Sequence, residues 1–160
     1  MNRTNMLITH PLSLRVALVV AAALLGVAGC SVTEPQPPQS HLVTLTTQLR
    51  GANEVPPHPG HASGQVDAVL DRQTGVFKWR LSYAGLSGPA TAGHFHGPAM
   101  VGANAGVSLP FAGTLTSPMS GQASLTAAQM AELMAGQWYA NIHTARYPAG
   151  EIRGQMTVRH

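Results

Sequence analysis

Cysteine occurs once in the 160 residues, at Cys30, so no disulfide can form within the chain. Charge is sparse as well: only 9% of residues are acidic or basic, and the formal net charge is +3. Two of the nine basic residues, Arg3 and Arg15, fall in the first fifteen positions, and from Ser31 onward seven basic residues face six acidic ones. That near balance excludes the basic footprint of a nucleic-acid-binding protein. No apolar run is long enough for a transmembrane helix. The run from Val16 to Gly29 would extend about 21 Å as a helix, short of a hydrocarbon core of roughly 30 Å. No Gly-x-Ser-x-Gly elbow and no glycine loop with a phosphate-binding lysine is present. Aromatic residues make up 5%, whereas glycine (17) and proline (12) are plentiful without a collagen period. That mixture suits short strands joined by tight turns.

The apolar run has another use. Residues 1–15 carry two arginines and no acid, and with the run behind them they form the basic and apolar regions of a secretory signal. It ends in "VAGC", Val27 to Cys30, which resembles the lipobox of bacterial lipoproteins. The resemblance implies cleavage before Cys30, acylation of its sulfur by membrane lipid (palmitate-type chains) and retention in the cell envelope. Lipid on the thiol removes a reactive group from an oxidising compartment, and more than one acyl chain gives stable attachment. Ser31 stands where an aspartate would retain the protein at the inner membrane. The expected location is the outer membrane facing the periplasm in a Gram-negative cell, or the outer face of the cell membrane in a Gram-positive one. "SVTEPQPPQS" (31–40) holds three prolines and reads as an extended tether. The expected organisation is a signal peptide over 1–29, a lipidated cysteine and tether over 30–41, and one domain over 42–160.

Within that domain the hydrophobic period is two. "HLVTLTTQL" (41–49) places Val43, Leu45, Thr47 and Leu49 on alternate positions. "GQVDAVLD" (64–71) and "VFKWRLSY" (76–83) alternate across the turn "DRQTG" and predict a hairpin with one wet face. A further extended piece is expected in 106–115, with Pro110 on an edge or bulge. "QWYANIHT" and "GEIRGQMTV" supply two last strands around "RYPAG". Only "TAAQMAELMAG" (126–136) has helical spacing, with Thr126 and Gln129 as a capping box, Met130, Leu133 and Met134 as an apolar stripe, and Gly136 at the exit. The expected fold is all-β: a sandwich or barrel of short antiparallel strands with one short helix.

Three segments, "LRGANEVPP" (49–57), "WRLSYAGLSGPATAGHFHGPA" (79–99) and "GQWYANIHTARYPAGEIRGQ" (136–155), resemble the successive signatures of the CHRD domain, named from chordin, over roughly residues 42–157. The resemblance implies an all-β extracellular domain and brings no established enzyme activity. Growth-factor antagonism does not transfer, because chordin binds growth factors largely through cysteine-rich modules that this chain lacks.

His94 and His96 flank Phe95, so in a strand both imidazoles share one face. His143 shares a face with Tyr139 and Asn141, opposite Trp138, Ala140 and Ile142. If these two strands are neighbours in register, three imidazoles converge, a donor set suited to zinc or copper(II). The same histidines could instead hold an irregular loop by bonding backbone carbonyls. His58 and His61 lie in a loop that could approach. A histidine-x-histidine strand is also similar to part of the copper site of copper–zinc superoxide dismutases. The disulfide, the further histidines with aspartate, and the charged guidance loop of those enzymes have no counterpart here. Glu54, Glu151 and Arg153 form an expected carboxylate–guanidinium network, with Glu151 and Arg153 two residues apart on one strand. No catalytic constellation emerges. The leading functional expectation is a lipid-anchored domain with a non-catalytic binding or structural role in the envelope, its extracytoplasmic ligand or protein partner unspecified. The alternative is a copper- or zinc-binding envelope protein using His94, His96 and His143, with redox chemistry open if the metal is copper.

Overall fold

A computed structural model describes residues 40–159. The segment expected to be a signal peptide, Cys30 and nearly all of the expected tether lie outside the described residues. Among these residues no helix is long and apolar enough to cross a membrane.

The strands are β1 (Leu42–Arg50), β2 (Ser63–Asp71), β3 (Val76–Ala84), β4 (Ala90–His96), β5 (Val107–Pro110), β6 (Met119–Ser124), β7 (Tyr139–Thr144), β8 (Ile152–Gln155) and β9 (Thr157–Val158). They form one curled antiparallel half-barrel sheet in the order β5-β4-β7-β8-β1-β2-β3-β6, with β9 beside β1. The single helix, α1 (Ala127–Met134), starts at the capping box legible in the sequence: Thr126 accepts from the Gln129 amide, and the Gln129 side chain accepts from Thr126. Gly136 leaves it at a φ of 69°, a conformation that glycine adopts without strain.

Alternation explains which face each strand buries. Val66, Ala68 and Leu70 of β2 and Phe77, Trp79 and Leu81 of β3 lie in the core, in the expected hairpin, while Asp67, Lys78 and Arg80 face water. Phe95 of β4 joins them, edge-on to Phe77, Trp79 and Phe111 at centroid distances of 4.9–5.5 Å. Such pairs add to the stabilisation from burial. Pro110 ends β5, at the sheet's edge, where its missing N–H costs no ladder bond.

The structure departs from the sequence reading in two strands, and the second bears on the site. β6 has no clear hydrophobic alternation, yet it pairs with β3 through Gly121 opposite Trp79. A Cβ at Gly121 would lie 2.3 Å from the indole, so glycine makes room for the ring. β7 was expected to have one core face and one hydrophilic face. It is buried on both, because two loops close over the polar side.

Candidate metal centre

β4 and β7 are neighbours, with His94 opposite Asn141, His96 opposite Tyr139, and Ala92 opposite His143. With a side-chain period of two, this register lays His94, His96, Tyr139, Asn141 and His143 on one face. β8 continues that face on the other side of β7, with Arg153 opposite Asn141 and Gln155 opposite Tyr139.

The three imidazoles converge: one nitrogen from each lies within 4.8 Å of the others. His94 Nδ1 stands 3.3 Å from His143 Nε2. Two of the rings, His143 and His96, are oriented by the backbone through Nδ1. His143 Nδ1 lies 3.0 Å from the carbonyl of Pro148, and His96 Nδ1 lies 3.1 Å from that of Ala105. A carbonyl only accepts, so each Nδ1 carries the proton and each Nε2 keeps a lone pair. His96 Nε2 is buried without a partner. Burial holds all three imidazoles below their ordinary range, and for His94 the charges of His143 and His96 act in the same direction. Neutral imidazoles with oriented lone pairs are what a transition metal binds.

The loops over this face are pinned by its own side chains. Arg153, 2% exposed, donates to Asn104 Oδ1 at 2.8 Å and to the Ala103 carbonyl at 2.6 Å. Its guanidinium lies 3.5 Å from the Tyr139 ring centroid, and His96 stacks on the same ring at 4.8 Å. β7 runs between β4 and β8, so the phenol is sandwiched between imidazole and guanidinium. From the other loop, Glu54 accepts from Asn141 Nδ2 at 2.7 Å, while Asn53 donates to the Arg153 carbonyl. Asn104 donates to the Val55 carbonyl and ties the two loops together. Burial raises the Glu54 carboxyl to a pKa of about 7, against the lowering effects of Asn141 and Arg153. Gly150, at a φ of 140°, lets the chain pass this pair. A Cβ there would lie 2.6 Å from Asn141 Nδ2 and 2.7 Å from Glu54 Oε1.

The expected carboxylate–guanidinium network is divided. β8 begins at Ile152, after Glu151, so the two-residue repeat does not carry Glu151 to the Arg153 face. Glu151 instead accepts from the Ser87 amide and hydroxyl and from Thr144 Oγ1, at 2.6–2.7 Å. Burial alone would raise its carboxyl, but these donors hold it below the usual range. Among the described residues no carboxylate lies within ion-pair distance of Arg153. Glu54 acts on it through space. His58 does not join the histidine group. It stacks on Tyr147 at 4.2 Å and accepts from the Gly60 amide. Asn141 and Tyr139 were missed as site residues, although their parity with His143 already placed them on its face.

Comparison with curated proteins gave no match, and neither did comparison with solved structures. The CHRD domain model matches residues 45–156, a span that includes β4, β7, β8 and both loops over the polar face. The chain therefore belongs to the CHRD domain family.

Proposed function

We propose that this chain is an extracytoplasmic metal-binding domain that holds zinc or copper(II) through His94, His96 and His143. The observation that carries the reading is the pairing of a three-nitrogen cluster with backbone carbonyls that fix the tautomers of His96 and His143. Hydrogen bonding alone would explain each Nδ1, but it leaves the buried Nε2 of His96 without a use. Three neutral nitrogens favour zinc or copper(II) over calcium or magnesium, which take oxygen ligands. The sequence at Val27–Cys30 supports attachment of the mature chain to a membrane through lipid on Cys30. In that setting the centre meets metal from outside the cytoplasm.

Elemental analysis of untagged protein, purified without added metal, tests the first part. The expected result is near-stoichiometric zinc or copper, and a thermal midpoint that falls on chelation. A metal-free protein whose midpoint ignores both metal and chelator would refute it. Intact-mass measurement on protein from native membranes tests the second part. An unmodified Cys30 with the first 29 residues still attached would exclude the anchor.

A second reading, non-catalytic binding of an organic ligand or protein by the loops, is favoured by a cavity of about 540 Å³ lined by Gln48, Asn53, Glu54, Val101 and Arg153. It predicts that the histidine substitutions alter stability without altering metal content.

A further inference from the structure

A metal held by three histidines retains a position that the protein does not fill. The strand register fixes what surrounds it. Asn141 stands opposite His94, with His143 two residues to one side and Tyr139, the partner of His96, two residues to the other. Asn141 therefore adjoins two of the three imidazoles on that face, His94 across the strand pair and His143 along β7. Its amide nitrogen is committed to Glu54, whereas its Oδ1 is buried and has no partner. A buried acceptor left without a partner destabilises the fold unless a ligand or water answers it. His96 Nε2 is the second orphan acceptor here. Both side chains, together with Glu54 and Tyr139, line a cavity of about 200 Å³, room for several waters at roughly 30 Å³ each.

The uncommitted groups share one chemistry. His96 Nε2 offers a lone pair, Asn141 Oδ1 offers another, and the carboxyl of Glu54 lies beside them. No donor among the described residues answers the first two. A metal satisfies His96, and a water on that metal satisfies Asn141 Oδ1 with one of its hydrogens. The orphan atoms thus describe a ligand that carries both a metal and a hydrogen-bond donor.

Resting on the metal reading above, we propose that the centre has an open fourth position facing the Glu54–Asn141 cavity, where water exchanges with small metal-coordinating anions. The cavity limits these to a few heavy atoms. Asn141 and Glu54 are positioning residues: Asn141 orients the exchangeable ligand, and the Glu54 carboxylate opposes the entry of negative charge.

The test uses the full chain without a polyhistidine tag, loaded with copper(II). Copper content is measured first, and azide is then titrated while the copper absorption and electron paramagnetic resonance spectra are followed. The wild type is expected to bind copper and to develop a saturable azide-to-copper charge-transfer band. At pH 8, Glu54→Gln should keep its copper and bind azide about threefold or more tightly, since a nearby negative charge has been removed. Asp67→Asn makes the same charge change on the exposed face of β2 and should leave azide affinity as it was. A copper-loaded wild type whose spectra ignore azide would overturn the open position while leaving the metal reading intact, whatever the folding of the variants. Equal azide affinities in wild type and Glu54→Gln would overturn the route through the cavity. Failure to retain copper would remove both readings.

Discussion

His94 Nδ1 and His143 Nε2 lie 3.3 Å apart, although 49 positions separate the residues in the chain. The hydrogen bond of His143 to Pro148 keeps that Nε2 a lone pair, so in the metal-free protein His94 supplies the proton between them. A metal would replace the proton. The contact is therefore a measure of which state the site is in.

His94→Ala and His143→Ala should separate ligation from folding. A metal at a hundredfold excess over its Kd stabilises the native state by about 2.7 kcal/mol, and each substitution should abolish most of that increment. Without metal, His143→Ala should cost about 1 kcal/mol more, because it also releases the Pro148 carbonyl. Thermal denaturation with and without added zinc reads both effects. An undiminished zinc increment in His94→Ala would exclude that residue as a ligand.

Glu54 gives a pH signature of definite sign. Its carboxyl titrates near 7 in the fold against 4.5 as a free group, so the native state binds the extra proton. Stability from this group is full below the unfolded value and declines as pH rises towards 7. Glu54→Gln, which keeps an acceptor for Asn141, removes the decline. In metal-free protein the variant should gain up to about 3 kcal/mol over wild type at pH 8 and almost nothing at pH 4. Urea titrations at the two pH values measure the difference, and an equal gain at both would contradict the assignment.

Glu151 behaves in the opposite sense. Hydrogen bonds from Ser87 and Thr144 outweigh burial and lower its carboxyl below 4.5. Its contribution is present above that value and is lost as pH falls through the folded one. Glu151→Ala leaves the Ser87 amide and two hydroxyls without their acceptor, and should cost about 3 kcal/mol at pH 7. Chemical denaturation checks it. A loss below about 1 kcal/mol would mean that water replaces the carboxylate without penalty.

Gly121→Ala tests the strand that lacks a hydrophobic pattern. The new Cβ meets the Trp79 indole at 2.3 Å, so either the ring or β6 must shift, at a cost of about 1–3 kcal/mol. Tryptophan fluorescence should change together with the midpoint. If neither moves, β6 is not seated against Trp79 as described.

Much of the fold was legible because it rests on local chemistry. The alternation in β2 and β3, the Thr126–Gln129 cap and the parity of Phe95 between two histidines are written within a few residues of each other. β6 was not legible, since small polar residues carry no period-two signal and the strand exists because β3 offers an open edge. The pairing of Glu151 with Arg153 failed for a local reason: the strand begins between them, and face parity applies only within a strand.

Sequence alone determined which residues could share a face: His94 with His96, and His143 with Asn141 and Tyr139. Side chains alternate along a strand whatever its neighbours. Only the tertiary structure decided that β4 and β7 lie side by side, in a register that brings three imidazoles together. It also decided that two loops cover the polar face, which places Glu54 and Arg153 in a low-dielectric layer rather than in water. Strand adjacency and loop closure depend on contacts between segments far apart in the chain, and no short stretch of sequence encodes them.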